Sequence, residues 1–265
     1  MTKTILITGA TDGIGLETAK MMAPMGHTLL LHGRNPDKLA ASAKAVSAIE
    51  GAGDVKTYRA DLSILSEVQA FADKVKSDFS EIDALINNAG VFKMSNPLTK
   101  DGYDARFIVN VVAPYMLTKA LLPILGSDGR VVNLSSAAQA PVNVQGFVNK
   151  QSFSHSDAYA QSKLALTMWS FEMASELGAT GPVIVSVNPA SFLGSKMVKE
   201  AYGQKGHDLK IGADILTRAA LSDEFADASG RYYDNDRKSF AQPHPDALDS
   251  TKNKRLIAAI EQLIR

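Results

Sequence analysis

The sequence has 265 residues, no cysteine, and 28 basic side chains against 28 acidic ones. This length fits one large α/β domain or two small ones, and it is ample for a sizeable core. A formal net charge of +0 argues against a nucleic-acid-binding surface or a polybasic membrane patch. The absence of cysteine excludes disulfides, thiolate zinc sites and cysteine nucleophiles. The first apolar run is too short for a signal peptide, and none approaches the roughly 18 residues of a membrane span. We therefore expect a cytoplasmic protein that binds neither nucleic acid nor membrane.

Short apolar runs rich in β-branched residues recur along the chain, and longer segments with helical periodicity lie between them. Several runs are apolar on both faces, which is typical of parallel strands covered on both sides. The alternation predicts one doubly wound, Rossmann-type α/β domain over residues 1–265, with about seven strands in the order 3-2-1-4-5-6-7. The predicted strands are Thr4–Thr8, Thr28–His32, Val55–Ala60, Ala84–Asn87, Arg130–Leu134, Val183–Val187 and, more weakly, Arg231–Tyr233.

A glycine-rich turn, Thr8–Gly15, directly follows the first strand. Glycine at positions 9, 13 and 15 permits a sharp turn, a close approach of backbone to a pyrophosphate, and tight packing of the next helix on the sheet. The N-terminus of that helix offers free N–H groups to a phosphate. The turn therefore predicts a nucleotide site.

Two further segments stand outside the alternation of strands and helices. Residues 191–212 are mixed in character and follow the sixth strand at the ligand-binding edge, so we interpret them as a substrate loop, with a plain surface excursion as the alternative. Residues 250–265 carry an apolar stripe at helical spacing, which predicts a helix used for packing or subunit contact.

The order and spacing of several motifs resemble the short-chain dehydrogenase/reductase family. Thr8–Gly15 matches T-G-x-x-x-G-x-G, Asn87–Gly90 matches N-N-A-G, and Tyr159 with Lys163 matches Y-x-x-x-K. Asn110 and Ser136 stand where the family places its Asn and Ser. The resemblance runs from residue 4 to about residue 190. The 23 residues from Ser136 to Tyr159 are more than the family usually has, and this insertion is similar to the retinol-dehydrogenase-like branch.

The resemblance implies a nicotinamide dinucleotide as cofactor. A carboxylate at the end of strand two would favour NAD, but this chain has Arg34 there, which can fork onto a 2′-phosphate. NADP(H) is therefore favoured and NAD(H) is the alternative. His32 and Asn35 are weaker helpers of Arg34. Asp12 occupies a turn position where some NADP-preferring members carry a base, and it gives no support.

Asp61 resembles the family's carboxylate that receives the adenine amino group, and it could also cap the next helix. The segment from Asn87 to Gly90 could serve stability as much as the cofactor. The expected cofactor-binding residues are Gly9, Thr11, Asp12, Gly13, Ile14, Gly15, Arg34, Asn35, Asp61, Leu62, Asn88, Ala89, Gly90, Tyr159, Lys163, Pro189 and Phe192.

The expected catalytic residues are Asn110, Ser136, Tyr159 and Lys163. Tyr159 and Lys163 lie four apart on a predicted helix, and a neighbouring ammonium lowers the pKa of a phenol from its usual value of about 10. Tyr159 would exchange a proton with the substrate oxygen, while Lys163 would also hold the ribose. Ser136 would stabilise the oxyanion, with Ser135 as the competing choice. Asn110 would hold a water that links Lys163 to solvent.

The turn after strand six departs from the family pattern. Ala190 replaces the usual Gly, and Ser195 sits one residue later than the usual Thr, so the contact with the nicotinamide carboxamide stays open. We expect Pro189 and Phe192 to supply it through the backbone.

The implied activity is hydride transfer between NADP(H) and a small, apolar carbonyl or alcohol substrate. An NAD-dependent alcohol dehydrogenase and a catalytically silent nucleotide-binding scaffold are the alternatives. The histidines show no metal-ligand spacing, and no nucleophile elbow points to a hydrolase. A homodimer or homotetramer is expected from the family.

Overall fold

The computed structural model of the chain describes residues 2–203 and 205–265, without the side chains of Ala201 and Tyr202. Met1, and Gln204 of the predicted substrate loop, lie outside the described residues. The strands are β1 (Thr4–Ile7), β2 (Thr28–Gly33), β3 (Val55–Arg59), β4 (Ala84–Asn87), β5 (Arg130–Leu134), β6 (Val183–Asn188), β7 (Arg231–Asp234) and β8 (Ser239–Ala241).

The described helices cover both faces of the sheet. The α-helices are α1 (Gly13–Met22), α2 (Pro36–Ser47), α3 (Leu65–Asp78), α4 (Ala113–Leu121), α5 (Val144–Val148), α6 (His155–Leu177), α7 (Lys196–Tyr202), α8 (Leu209–Leu221) and α9 (Ser250–Leu263). Single 3₁₀ turns span Ala23–Met25, Leu122–Ile124, Gly178–Thr180, Asp223–Phe225 and Pro245–Leu248. A short α-turn, Ala105–Phe107, and a π-helical segment, Ile108–Val112, lead directly into α4.

The strands form one sheet in the order β3-β2-β1-β4-β5-β6-β7-β8. Strands β1 to β7 are parallel, which confirms the predicted doubly wound sheet and its order. β1 pairs with β2 on one side and with β4 on the other, so the strand order reverses direction at β1. A crevice opens at the carboxyl end of such a switch point, and ligands of open α/β sheets bind there.

The sheet has one strand more than the sequence predicted. β8 pairs antiparallel with β7 through register pairs such as Tyr233 with Phe240. Its three residues are too few to show a periodic pattern, and the turn before it contains no glycine, although Lys238 has a left-handed φ of 53°.

The segment expected to be a loop at 191–212 is partly helical, because it contains α7 and the start of α8. α7 begins at Lys196, and the hydroxyl of its N-cap residue, Ser195, accepts from the Val198 amide at 3.3 Å. The predicted C-terminal helix is present as α9, and its stripe is buried at Leu256 and Ile260.

The stretch Ala105–Ile124 has the length and the mean hydropathy, 1.6, of a membrane-spanning helix, and 67% of it is buried inside the fold. The described part of the chain holds no other helix that passes this test. Phe107 and Leu117 on this stretch are at most 1% exposed and belong to the core beneath the sheet. Its burial is that of a core helix.

Candidate functional site

A cleft of about 590 Å³ lies at the carboxyl ends of the strands around the switch point. It has the size of small-molecule and cofactor sites in general. Fifteen of the predicted site residues line it: Gly9, Thr11, Asp12, Gly13, Ile14, Arg34, Asn35, Asp61, Leu62, Asn88, Ala89, Gly90, Tyr159, Lys163 and Pro189. The fold therefore brings the glycine turn, the end of β2 and the Tyr–Lys pair to one cavity.

The glycine turn depends on backbone conformations and spaces that side chains would not fit. Gly9 and Gly13 have left-handed φ values of 66° and 56°. A Cβ on Gly9 would lie 2.9 Å from the Cα of Ala89, and one on Gly15 would lie 2.4 Å from the Gly9 carbonyl oxygen. Gly9 and Gly13 line the cleft, whereas Gly15 lies behind it as a packing residue.

Asn87, the last residue of β4, and Asn88, which follows it, hold the neighbouring strands and the glycine turn together. The Asn87 amide donates to Asn133 Oδ1 at 2.8 Å and to Thr118 Oγ1 at 3.0 Å. The Asn88 amide donates to the carbonyls of Thr8 at 2.8 Å and Gly9 at 3.1 Å. These bonds fix the floor of the cleft, so this segment supports the fold as well as lining the site.

His32, expected as a weaker helper of Arg34, is buried, and backbone groups engage both of its ring nitrogens. Its Nδ1 accepts from the Gly9 amide at 3.2 Å, and its Nε2 faces the Ala60 carbonyl at 3.1 Å. The ring also stacks on Phe71 at 4.8 Å. Burial lowers the pKa of His32 to about 4, so the ring is neutral and carries its proton on Nε2. It ties the glycine turn to β2 and β3.

Basic side chains lie at the end of the cleft next to β2. Arg34 follows the strand and is exposed, and Asn35 caps α2 by accepting from the Lys38 amide at 2.9 Å. Lys38, on the first turn of α2, also lines the cleft, and its Nζ lies 4.0 Å from Asp12 Oδ2. Lys38 was missed by the sequence analysis. The signal that could have found it is its position in the first turn of the helix that directly follows Arg34 and Asn35.

Asp61 and Leu62 close the cleft at the end of β3. The Asp61 carboxylate accepts from the amide of Ser63 at 2.9 Å and from its hydroxyl at 2.7 Å. The N-cap of α3 is Ile64, so Asp61 forms a local turn and does not cap that helix. Leu62 is buried beside it.

Tyr159 and Lys163 project from α6 into the other half of the cleft. The Lys163 Nζ lies 5.6 Å from the centre of the Tyr159 ring and donates to the Leu134 carbonyl at 2.6 Å. Burial lowers the pKa of Lys163 from its usual value to about 8. Phe92 packs against Tyr159 with 4.7 Å between the ring centres. The Tyr159 ring is thus held between an apolar neighbour, Phe92, and a buried cation, Lys163.

The two serines after β5 have different surroundings. Ser135 is buried, and its hydroxyl lies 2.7 Å from Thr167 Oγ1 and 3.3 Å from the Lys163 carbonyl. Ser136 is half-buried, and its Oγ accepts from the amide of Ala138 at 3.1 Å. Ser135 is therefore engaged with α6, although its position borders the cleft, and Ser136 lies just beside the cleft.

Asn110 is buried behind the cleft, in the π-helical segment Ile108–Val112. Its Oδ1 accepts from the Val91 amide at 2.8 Å, and its Nδ2 donates to the Val91 carbonyl at 3.0 Å and to Ser162 Oγ at 3.0 Å. The side chain is thus committed to the segment that follows Gly90.

Phe192 and the inserted segment lie away from the lining of the cleft. Phe192 is half exposed with a left-handed φ of 53°. Phe147 is 2% exposed and stacks on Phe107 at 4.5 Å, which makes it a core residue. His155 Nδ1 lies 2.7 Å from Arg106 Nη1, and Arg106 forms a buried ion pair with Asp104.

The remaining lining residues lie at both ends of the cleft. These residues are His32, Gly33, Lys38, Ala60, Val91, Phe92, Lys93, Met94, Val109, Leu134, Ser135, Ser195, Lys196, Met197 and Glu200. Seven of them lie outside the helices and strands, on loops that only the fold brings together. Among residues 2–203 and 205–265, no three His, Asp or Glu side chains are grouped so as to hold a metal ion.

A family model described as short chain dehydrogenase matches residues 3–206. Retinol dehydrogenase 13 of Homo sapiens is 30% identical over 281 residues, which cover 99% of this chain and 84% of the relative. Retinol dehydrogenase 12 of Mus musculus is 30% identical over 244 residues, with 87% and 77% covered. Polyprenol dehydrogenase of Homo sapiens is 29% identical over 256 residues, with 88% and 77% covered.

Two solved structures resemble 88% or more of the chain. An uncharacterised protein from Mycobacterium Paratuberculosis superposes with a TM-score of 0.78 at 28% identity, covering 99% of this chain and 93% of that one. The NADPH complex of an Escherichia coli CFT073 protein described as a short chain dehydrogenase has a TM-score of 0.71 at 26% identity, covering 88% and 96%.

Proposed function

The chain belongs to the short-chain dehydrogenase/reductase family, in its retinol-dehydrogenase-like branch, and from this premise we propose that it is an NADPH-dependent carbonyl reductase. Members act on CH–OH or C=O groups with a nicotinamide cofactor. The observation that carries the proposal is that Tyr159 and Lys163 share one cleft with the glycine turn and with Arg34. The same site would run as an alcohol dehydrogenase in the opposite direction.

The residues of the cleft fit a dinucleotide. Gly9 and Gly13 keep the floor free of side chains, and the N-terminus of α1 opens beside them for a pyrophosphate. Asp61 and Leu62 would hold the adenine end, and Tyr159 with Lys163 would hold the nicotinamide ribose. When bound, the reduced cofactor supplies a hydride to the carbonyl carbon of the substrate.

The preference for NADPH is proposed from charge. Arg34 and Lys38 both line the end of the cleft where the adenosine ribose would lie, and no carboxylate follows β2 directly. A guanidinium can form a forked pair with a 2′-phosphate, and an ammonium can add a point charge. The NADPH bound to the Escherichia coli relative supports this preference.

Proton transfer is assigned to Tyr159. In reduction, its phenol would give a proton to the substrate oxygen while that oxygen gains charge. The ammonium of Lys163, 5.6 Å from the ring centre, would then stabilise the phenolate. Because burial lowers the pKa of Lys163 to about 8, the lysine can itself hand a proton back at neutral pH.

Ser136 would donate to the substrate oxygen, because the Ser135 hydroxyl is engaged with Thr167. Since the Asn110 side chain is committed to Val91, we assign the water of the proton relay to the Asn110 main chain. A π-helical segment can leave a backbone carbonyl without its helical partner, and such segments often occur at functional sites.

The proposed substrate is an apolar aldehyde or ketone, or the matching alcohol. Phe92, Met94 and Met197 line the cleft beyond the Tyr–Lys pair. The relatives named for retinol and polyprenol carry apolar alcohols in their names, which supports this class.

The test is calorimetric titration with NADPH and with NADH, followed by a screen of apolar aldehydes with the tighter cofactor. NADPH binding tighter by about tenfold or more, equivalent to about 1.4 kcal/mol, is the expected result. NADH binding equally or more tightly would favour the NAD-dependent alternative. Binding of neither would contradict the proposal and favour a silent scaffold.

A further inference from the structure

The turn after β6 has a strained backbone at the end of the cleft. Ala190 has a φ of 119°, and Phe192 has one of 53°, both in the region that favours glycine. Residues other than glycine keep such backbone conformations only when contacts with the surrounding structure stabilise them. Pro189, directly before Ala190, is the residue of this turn that borders the cleft together with Ser195.

Residues of the turn between β7 and β8 provide the stabilising contacts. The Asp236 carboxylate accepts from the Ser191 amide at 2.8 Å, from the Ser191 hydroxyl at 2.6 Å, and from the Asn188 amide group at 2.9 Å. It thus joins the residues on both sides of the strained Ala190. Burial alone would raise the pKa of Asp236, but the bonds from Ser191 and Asn188 outweigh it and hold that pKa below its usual range.

Asn235, in the same turn, adds a second set of stabilising hydrogen bonds. It is 8% exposed, and its amide donates to the Pro189 carbonyl at 2.9 Å and to the Ile211 carbonyl at 3.3 Å. Its own backbone amide donates to the Asn188 carbonyl at 3.1 Å. One buried side chain therefore links the residues just before the 191–212 segment to the end of that segment.

We propose that Asp236, assisted by Asn235, is a positioning residue that keeps the Pro189–Ser195 turn in the shape that receives the nicotinamide. The inference rests on the proposed function. Where a glycine would adopt the backbone of position 190 freely, this chain has alanine, and the Asp236 bonds compensate. Asp236 would touch neither substrate nor cofactor, so its effect would be confined to the nicotinamide half of the site.

The test compares two probes on Asp236→Ala by calorimetry. NADP⁺ would reach the Pro189–Ser195 turn, whereas 2′,5′-ADP carries only the adenosine half. We expect NADP⁺ binding to weaken about tenfold and 2′,5′-ADP binding to stay within about twofold of wild type. The exposed neighbour variant Arg237→Ala is the matched control and should change neither. Asp236→Asn, which keeps the size and one acceptor oxygen, serves if the alanine variant does not fold.

A double variant separates positioning from general damage. Glycine at position 190 adopts the φ of 119° without strain, so Ala190→Gly combined with Asp236→Ala should recover most of the NADP⁺ affinity. Equal loss of both probes, no loss of either, or no recovery in the double variant would overturn the inference. If the wild-type protein binds 2′,5′-ADP but not NADP⁺, or neither, the proposed function itself fails and the inference falls with it.

Discussion

The Lys163 ammonium is buried against the Leu134 carbonyl, with 2.6 Å between Nζ and the oxygen. The lysine is 4% exposed, and its pKa is lowered to about 8 because burial disfavours the charge. The fold therefore holds a costly cation at the one place where the proposed chemistry needs it. Stability therefore favours the neutral form of Lys163, whereas the proposed activity requires the charged form.

The buried lysine predicts a rise in stability at alkaline pH. Between about 8 and 10.5 the unfolded chain keeps the Lys163 proton while the folded chain loses it, so the free energy of unfolding should rise through this window. The rise should be about 3 kcal/mol at most. Urea denaturation at pH 7 and at pH 10 measures it, with Lys163→Met as the control. A rise of equal size in the variant would contradict the assignment.

The same group predicts the pH dependence of reduction. As pH rises through about 8, the free enzyme loses the Lys163 charge that stabilises the phenolate, so kcat/KM for reduction should fall. Initial rates from pH 6 to pH 10 at fixed NADPH would measure this fall. A flat profile across pH 8 would show that the lysine charge is not required.

His32 predicts a separate loss of stability in acid. Its pKa is lowered from 6.5 to about 4 in the folded chain, so the unfolded chain takes up the proton first as pH falls. The free energy of unfolding should drop by about 3 kcal/mol between pH 7 and pH 4 from this group. Urea denaturation across this range would show the drop, and His32→Gln should remove it. If the variant keeps the full slope, other groups cause the acid loss.

The basic end of the cleft predicts a graded loss of cofactor preference. Arg34→Ala should weaken NADPH binding about tenfold, and Lys38→Ala should weaken it less, because its ammonium also faces Asp12 at 4.0 Å. Neither change should alter NADH binding by more than about twofold. Calorimetry with both cofactors measures these effects. Lys44→Ala, which removes an exposed cation near the end of α2, is the control, and an equal loss for NADPH and NADH in Arg34→Ala would contradict the 2′-phosphate contact.

The sequence predicts the parallel sheet and its order because each βα unit carries its own pattern of apolar residues and turns. The glycine turn and the Tyr159–Lys163 pair are likewise local, since fixed spacing along one element places them on one face. These features need no knowledge of the tertiary structure. For this reason, β1 to β7 and much of the cleft lining could be predicted from the sequence.

The features that sequence reasoning missed arise between distant elements. In the sequence, His32 is a polar residue at a strand end, and only its contacts with distant elements, such as the Phe71 ring from α3, bury it. The bonds from Asp236 to Ser191 span 45 positions in the chain and follow no motif. β8 is too short to predict, and its three residues form a strand only because β7 lies beside them.

The central claim is that the cleft reduces carbonyl groups with Tyr159 as the proton donor, and the most direct test is Tyr159→Phe. The variant removes one hydroxyl and leaves the contact of the ring with Phe92, so NADP⁺ binding should stay within about threefold of wild type. The rate of NADPH oxidation with an apolar aldehyde should fall by about 10²- to 10⁴-fold. Tyr58→Phe, whose hydroxyl bonds Asp78 on the outer edge of the sheet, should keep the full rate. A Tyr159→Phe variant that turns over the aldehyde as fast as the wild-type protein would contradict the account.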